Sequence, residues 1–153
     1  MIRLKPLLFS LLISLGTGSL SGFLTRNAMQ TYQTLVQPPL APPPAIFPVV
    51  WTVLYFLMGV SAYLIYVSKS ADKQRALRLY AAQLAVNFVW PFVFFLAQRY
   101  LLAFVVLVVL WLLVFEMIRS FYSINRTAAL LQIPYLLWLT FAGYLNLAIY
   151  FLN

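Results

Sequence analysis

The chain has 153 residues, of which 65% are hydrophobic and only 8% are charged. A soluble globular domain carries roughly 25% charged residues, so this composition excludes that class and indicates an integral membrane protein. The formal net charge is +8. The basic residues are spread along the sequence and form no single basic face, which argues against nucleic acid as a partner and favours membrane lipids with anionic headgroups.

The residue types that most enzymes and metal sites need are missing. The chain has no cysteine and no histidine, and its two acids are Asp72 and Glu116. The usual sets of metal ligands and of general acids and bases cannot be assembled from these residues. We therefore predict no metal site and no required cofactor, and we disfavour hydrolases, metalloenzymes and thiol redox enzymes.

Five segments are long and apolar enough to cross a bilayer, which takes about 20 helical residues. They cover residues 6–24, 45–67, 77–97, 101–118 and 128–152, with a long loop over 25–44 and short connections elsewhere. The first segment lacks an alanine-type cleavage site, so we expect it to be retained as a helix and not removed as a signal peptide. The prediction is an all-α integral membrane protein, a five-helix bundle that forms one transmembrane domain over 1–153.

The basic residues predict the orientation of these spans, since short cytoplasmic loops are enriched in lysine and arginine. With five spans, all ten basic residues except Arg26 and Arg99 fall on one side of the membrane. This places the N-terminus in the cytoplasm, and the first loop and the C-terminus outside. An odd number of spans also requires the termini to lie on opposite sides.

The first loop has two parts. Ala28, Tyr32 and Leu35 lie at helical spacing, whereas residues 38–44 are rich in proline, which excludes a helix there. We expect a short amphipathic helical turn followed by an extended segment across the mouth of the bundle. The sequence is equally consistent with a lid over the bundle and with a stiff connector to the second span.

Three predicted helices each carry a face that combines aromatic rings with amide or hydroxyl groups. The residues on these faces are Trp51, Tyr55 and Met58; Gln83, Asn87, Trp90 and Phe94; and Tyr135, Trp138, Ala142 and Leu145 with Asn146 beside them. An amide in hydrocarbon is costly without a hydrogen-bond partner, so Gln83, Asn87 and Asn146 should face the protein interior. They can be interhelical contacts or part of a pocket wall, and three amides on tryptophan-rich faces favour the pocket.

Small residues and prolines suggest local features of the packing. Gly18 and Gly22 form a GxxxG pair, which lets another helix approach closely. Pro91 and Pro134 lie inside predicted helices, where each removes a backbone hydrogen bond and favours a kink. Such kinks can open space between helices.

Two further residues of the fourth span have structural interpretations. Trp111 lies among valines and leucines without a polar companion, so we expect it to face lipid or to pack. Glu116 is an acid within a span and has Arg119 at i+3. A local ion pair is favoured over a proton relay, because a relay needs further titratable groups.

Three blocks of this sequence resemble the tryptophan-rich sensory protein and translocator protein family, which includes the peripheral-type benzodiazepine receptors. The blocks are PPLAPPPAIFPVVWTVLY over 38–55, QLAVNFVWPFVFF over 83–95 and PYLLWLTFAGYLN over 134–146. They are similar to the family's proline-rich loop with P-x-x-W-x-x-x-Y, its N-x-x-W-P signature, and its P-Y-x-x-W and L-N pattern. The resemblance covers essentially the whole chain and favours a bacterial-type member.

The resemblance implies a ligand and a site. It implies a porphyrin, protoporphyrin IX, as ligand or substrate, with cholesterol and synthetic isoquinolines as ligands of eukaryotic members. It also implies that Trp51, Asn87, Trp138, Ala142 and Leu145 line the ligand cavity. Together with the aromatic and amide faces, the predicted ligand-binding residues are Tyr32, Trp51, Tyr55, Gln83, Asn87, Trp90, Phe94, Tyr135, Trp138, Ala142, Leu145 and Asn146. Without histidine or cysteine, a tetrapyrrole would be held by packing and not through its metal.

The resemblance leaves several functions open. The protein can sense, carry or detoxify porphyrin; it can degrade protoporphyrin with light and oxygen, using Trp51 and Trp138; or it can be a transporter of porphyrin or lipid, or a scaffold. Cholesterol is disfavoured, because no lysine or arginine follows Tyr150. The family and small residues such as Gly18 and Gly22 imply a homodimer. The lack of cysteine and of an arginine-rich presequence favours a multi-pass protein of a bacterial plasma membrane.

Overall fold

The computed structural model describes residues 1–153 and contains only helices and connecting loops. The helices are α1 (Leu4–Thr25), α2 (Met29–Gln33), α3 (Ile46–Tyr66), α4 (Lys73–Pro91), α5 (Tyr100–Tyr122), α6 (Arg126–Leu131) and α7 (Ile133–Leu152), with a 3-10 turn over Arg26–Ala28 and a π-helical segment over Phe92–Leu96. Five helical segments are long and apolar enough to cross a membrane. The predicted all-α, five-span architecture is confirmed.

The helix limits differ from the predicted spans in two ways. α4 begins at Lys73 and not at 77, and α5 continues to Tyr122 and not to 118, because helical hydrogen bonding extends beyond the apolar part of a span. The segment predicted as one helix over 128–152 is divided at Gln132. Pro134 lies in the first turn of α7, two residues after this interruption, so the irregularity predicted at Pro134 takes the form of the break between α6 and α7.

The spans form a closed ring. α1 packs against α3, α3 against α6, α6 and α7 against α5, α5 against α4, and α4 against α1. α4 and α5 are joined by a tight turn in which Gln98 adopts a left-handed backbone conformation with φ of 54°. Side chains from every long helix except α1 meet in one buried core, which includes Met58, Tyr80, Val114, Phe121 and Tyr135.

Glycine allows α1 to approach α3 closely. A Cβ at Gly59 of α3 would lie 2.7 Å from the Ser14 hydroxyl of α1, and a Cβ at Gly18 of α1 would overlap the Tyr55 ring of α3. A Cβ at Gly22 would have no atom within 4 Å. The predicted GxxxG contact is therefore made by Gly18 alone and lies within the chain.

The irregularity predicted at Pro91 takes the form of a π-helical turn. The N–H of Ala97 donates to the carbonyl of Phe92 at 2.9 Å, five residues back instead of four. This wider turn carries Phe94 on its inner side, where the ring centroid lies 6.0 Å from that of Tyr32 in α2. The π-helical segment at the end of α4 thus packs against α2 in the first loop.

The predictions for Glu116 and Trp111 of α5 compare differently with the structure. Glu116 accepts a hydrogen bond from Arg119 at 2.8 Å on the exposed surface of α5, which is the predicted ion pair. The Trp111 indole N–H donates to the Thr140 hydroxyl at 2.9 Å, and its ring stacks on Phe115. The expected packing of Trp111 is confirmed, but the expectation that it has no polar companion is wrong, because its partner belongs to α7.

Gln132, at the junction of α6 and α7, provides a test of buried polar groups. It is fully buried, and neither its amide nitrogen nor its oxygen has a hydrogen-bond partner. An unsatisfied buried group costs about 1–3 kcal/mol. We expect Gln132→Met, a change of similar volume, to raise the free energy of unfolding by about 1 kcal/mol, measured by denaturant titration in detergent micelles.

Gln83→Met is the matched control for this prediction. Gln83 is equally buried, but its oxygen accepts a hydrogen bond from Tyr135 at 2.7 Å. Its replacement should therefore lower the free energy of unfolding. Equal losses in the two variants would show that Gln132 has a partner, such as an internal water.

Candidate ligand cavity

A cavity of about 540 Å³ lies between α1, α3, α4 and α7, and α2 contributes Met29 and Tyr32 to its wall. This volume falls within the range of roughly 300–1,000 Å³ that is typical of small-molecule sites. The wall is mostly apolar and rich in aromatic rings. Such a cavity suits a ligand with a large apolar surface and few polar groups.

Most of the predicted ligand-binding residues line this cavity. They are Tyr32, Trp51, Tyr55, Asn87, Trp90, Phe94, Trp138, Ala142, Leu145 and Asn146. Gln83 and Tyr135 do not line it; they are fully buried in the adjacent core. The structure therefore brings the aromatic faces of α3, α4 and α7 together around one space.

A chain of hydrogen bonds closes one end of the cavity. The Tyr55 hydroxyl donates to the Asn87 oxygen at 2.5 Å, the Asn87 amide donates to the Tyr135 hydroxyl at 2.6 Å, and that hydroxyl donates to the Gln83 oxygen at 2.7 Å. The Gln83 amide reaches the Met58 sulfur at 3.9 Å. These bonds join α3, α4 and α7, so Gln83 is an interhelical contact while Asn87 is both a contact and part of the cavity wall.

A second amide holds an indole ring at the cavity wall. The Trp90 N–H donates to the Asn146 oxygen at 3.1 Å, and the Asn146 amide donates to the Tyr100 carbonyl at 2.8 Å. The Trp90 ring also stacks on Phe94, with 5.0 Å between centroids and an interplanar angle of 24°. The indole N–H edge and one ring face of Trp90 are thus held in place by protein contacts before any ligand enters.

Two tryptophans of different helices meet at the wall. The rings of Trp51 and Trp138 lie 6.5 Å apart at an angle of 88°. Trp51 also packs on Tyr55 at 5.6 Å, and Trp138 packs on Phe47 at 6.0 Å. The Trp138 indole nitrogen is buried and has no hydrogen-bond partner within the chain. It is the one indole N–H at this wall that is buried and free to donate.

The helical part of the first loop forms part of the cavity wall. Tyr32 is 7% exposed and packs against Phe47, Phe94 and Phe95, with ring centroids 5.6–6.2 Å away. The short helical turn expected from the sequence is present as the 3-10 turn and α2. Its aromatic side chain joins the loop to α3 and to the π-helical segment.

The extended part of the loop is tied to the C-terminal half of α7. The Asn153 side chain accepts from the Val36 N–H at 3.0 Å and donates to the Val36 carbonyl at 3.1 Å. Further along the loop, the Tyr144 hydroxyl donates to the Pro39 carbonyl at 2.7 Å. The loop is thus more than a connector between spans, because it is attached to the helix on the far side of the cavity.

Comparison with known protein families places this architecture. The model of the TspO/MBR family matches residues 9–152. The chain belongs to the TspO/MBR family. With its five apolar spans, it is therefore a multi-pass membrane protein of this family, and the resemblance inferred from three sequence blocks is confirmed.

Similar relatives come from distant organisms and match most of the chain. The tryptophan-rich protein TspO of Chlorobaculum tepidum is 36% identical over 87% of this chain and 85% of its own length. The protein of the same name from Archaeoglobus fulgidus is 36% identical over 99% of each chain. The translocator protein of Bos taurus is 37% identical over 90% of this chain and 83% of its own.

The part of the wall that sequence reasoning missed comes mainly from α1. Its cavity-lining residues, with the first residue of the 3-10 turn, are Leu15, Gly18, Ser19, Ser21, Gly22, Phe23, Thr25 and Arg26. This stretch carries no regular aromatic or amide face, and the pair Gly18 and Gly22 was its only signal. Small residues can be recognised as part of a cavity wall only once the positions of the helices opposite them are known.

Arg26 is the only charged residue that lines the cavity of this TspO/MBR protein. It begins the 3-10 turn that follows α1, and its side chain is exposed. In the sequence, Arg26 indicates only the orientation of the spans. Its position in the cavity wall also makes it a candidate contact for a ligand, which the charge of the loop alone does not predict.

Proposed function

We propose that this TspO/MBR protein binds a porphyrin, protoporphyrin IX, in the cavity between α1, α3, α4 and α7, and thereby senses, carries or detoxifies porphyrins in the membrane. The observation that carries the proposal is the group of aromatic rings at one apolar cavity. Trp51, Trp90 and Trp138 contribute their indoles from three different helices. A broad apolar macrocycle gains most from such a wall, because flat rings stack over a large area.

The state of the polar wall groups also supports an apolar macrocycle. The amides of Asn87 and Asn146 are both engaged with protein partners. A highly polar ligand would have to break these bonds, whereas a flat apolar ring leaves them intact. The affinity of the cavity should therefore come from packing and not from a dense set of hydrogen bonds.

The first stage of the test is a titration of the purified protein with protoporphyrin IX in the dark, followed by tryptophan fluorescence. We expect saturable quenching, and about tenfold weaker binding in Trp138→Ala, because a large stacking surface is lost. Trp111→Ala is the control, since Trp111 does not line the cavity. Absence of saturable quenching, or equal affinities in both variants, would count against the site.

Light-dependent degradation of protoporphyrin is the second candidate function. It is favoured by the perpendicular contact of Trp51 and Trp138, 6.5 Å between ring centroids at the cavity wall. A macrocycle bound there lies beside oxidisable indoles, with molecular oxygen as the oxidant. The second stage of the test therefore illuminates the same samples in air and records the porphyrin absorption spectrum.

The two stages separate binding from chemistry. Degradation predicts a new absorption spectrum in the native protein and its loss in Trp51→Phe and Trp138→Phe variants that still bind in the dark. An oxygen-free sample should remain unchanged under light. If the bound pigment is unaltered by light and air, the protein is a sensor, carrier or scaffold and not an enzyme.

The proposed setting is a plasma membrane, with the N-terminus in the cytoplasm and the protein present as a homodimer. The orientation rests on the distribution of basic residues over the loops. Gly18 is already occupied by the Tyr55 ring of the same chain. A dimer interface would therefore have to lie on a surface that does not include Gly18.

A further inference from the structure

We propose that Arg26 binds the acidic group of the cavity's ligand, so that the protein selects flat apolar molecules that carry a carboxylate over neutral molecules with the same ring. This inference rests on the proposed function, because it concerns the ligand of the same cavity.

The charges around the cavity support this assignment. Arg26 is the only charged residue in the wall, and the chain has only two acids. Glu116 is paired with Arg119 on α5, and Asp72 lies immediately before α4. No carboxylate of the chain lies in the wall near Arg26, so the cavity combines an apolar interior with one cation that has no acidic partner.

The guanidinium group of Arg26 is held in place before a ligand enters. One of its nitrogens donates to the Phe23 carbonyl at 2.6 Å, and its central carbon lies 3.9 Å from the centre of the Phe23 ring. Phe23 itself lines the cavity. Only one guanidinium nitrogen is engaged in this way, so other N–H groups can donate to a ligand. A fixed guanidinium loses less conformational entropy on binding than a free one.

Several of the other polar groups of the wall are engaged within the chain, and those that remain free, including the Ser21 hydroxyl and the Trp138 indole N–H, are neutral and bind a carboxylate less strongly than a guanidinium does. The Thr25 hydroxyl donates to the Ser21 carbonyl at 2.8 Å, and the Thr52 hydroxyl donates to the Pro48 carbonyl at 2.7 Å. The Asn87 amide is bonded to Tyr55 and Tyr135, and the Asn146 amide is bonded to Trp90 and Tyr100. The Ser21 hydroxyl is buried without a partner on the same wall. The hydrogen-bonding groups on this side of the wall that lack partners, the Ser21 hydroxyl and the remaining Arg26 N–H groups, thus lie within two helical turns of each other.

The chemistry of these groups selects a carboxylate. A guanidinium matches a carboxylate with paired N–H donors, and such charge-assisted bonds are stronger than neutral ones. An apolar macrocycle with acidic groups along one edge can place its ring among the indoles and its acidic edge at Arg26. Protoporphyrin IX, with two propionates on one edge, has this form. Its dimethyl ester has the same ring without the charges.

The experiment compares protoporphyrin IX with its dimethyl ester, titrated in the dark by tryptophan quenching, in the full chain in detergent. We expect the native protein to bind the diacid about tenfold more tightly than the diester. Arg26→Gln should reduce this ratio to about one by weakening the diacid alone, and Arg26→Lys should keep part of it, since a lysine retains the charge without the paired donors. Arg99→Gln is the matched control, because Arg99 is an exposed arginine outside the cavity.

The outcomes separate this inference from the proposed function. Equal binding of diacid and diester by the native protein, or an unchanged ratio in Arg26→Gln, overturns the role of Arg26 and leaves porphyrin binding standing. A ratio that falls to the same extent in Arg99→Gln also overturns it, because the preference would then reflect overall charge. If the native protein binds neither compound, the proposed function fails and this inference fails with it.

Discussion

Gly18→Ala is expected to reduce porphyrin binding at least tenfold and to lower the free energy of unfolding by about 1–3 kcal/mol. The added methyl group would overlap the Tyr55 ring. That ring cannot move freely, because its hydroxyl is bonded to Asn87 at 2.5 Å and its face packs on Trp51 at 5.6 Å. Either the ring shifts into the cavity or α1 moves away from α3.

Two other glycines of α1 provide matched controls for this substitution. A Cβ at Gly16 or at Gly22 would meet no atom within 4 Å. Gly22 lines the cavity and Gly16 does not. Gly16→Ala should therefore not lower stability or weaken binding, and Gly22→Ala should not lower stability, since alanine is the better helix former where it meets no clash. Native affinity in Gly18→Ala, measured by the dark titration, would contradict the predicted contact, as would losses of equal size in all three variants.

Asn87→Leu is expected to lower the free energy of unfolding by about 2–3 kcal/mol. Leucine has a similar volume but removes the acceptor of the Tyr55 hydroxyl and the donor to the Tyr135 hydroxyl, both buried. The Tyr55 hydroxyl is then a buried donor without a partner. Unfolding in mixed detergent micelles, followed by tryptophan fluorescence, measures the loss.

A double-mutant cycle tests whether the loss comes from this hydrogen bond. Tyr55→Phe removes the hydroxyl that Asn87→Leu would leave unpaired. The cost of Asn87→Leu should therefore be about 1 kcal/mol smaller in the Tyr55→Phe background than in the native protein. Strictly additive losses would show that the two residues do not interact and that the cost of Asn87→Leu arises from packing alone.

Periodicity predicts which face of a helix a residue occupies, but not how deep that face lies in the bundle. Gln83 and Asn87 share one face of α4, yet Asn87 lines the cavity and Gln83 lies in the adjacent core. One helical turn separates them. The closed end of the cavity falls between the two residues because Tyr55 and Tyr135, from α3 and α7, meet there.

Contacts between segments that are distant in the sequence also could not be predicted from local patterns. Trp111 is hydrogen-bonded to Thr140, 29 residues away, and Asn153 is hydrogen-bonded to Val36, 117 residues away. Neither pair has a local pattern that connects its members. These bonds depend on which helices become neighbours in the ring and on where the first loop crosses it.

The amino-acid sequence by itself determined the five spans, the aromatic faces of α3, α4 and α7, and most of the cavity residues that these faces contribute, including Trp51 and Trp138. These features follow from local rules, because a span must be apolar and a buried face must repeat with the period of the helix. Only the tertiary structure decided the wall from α1, the division between α6 and α7, and the place of Arg26 at the cavity. Small residues and a single exposed arginine carry no periodic signal, and their roles arise from the side chains that other helices bring against them.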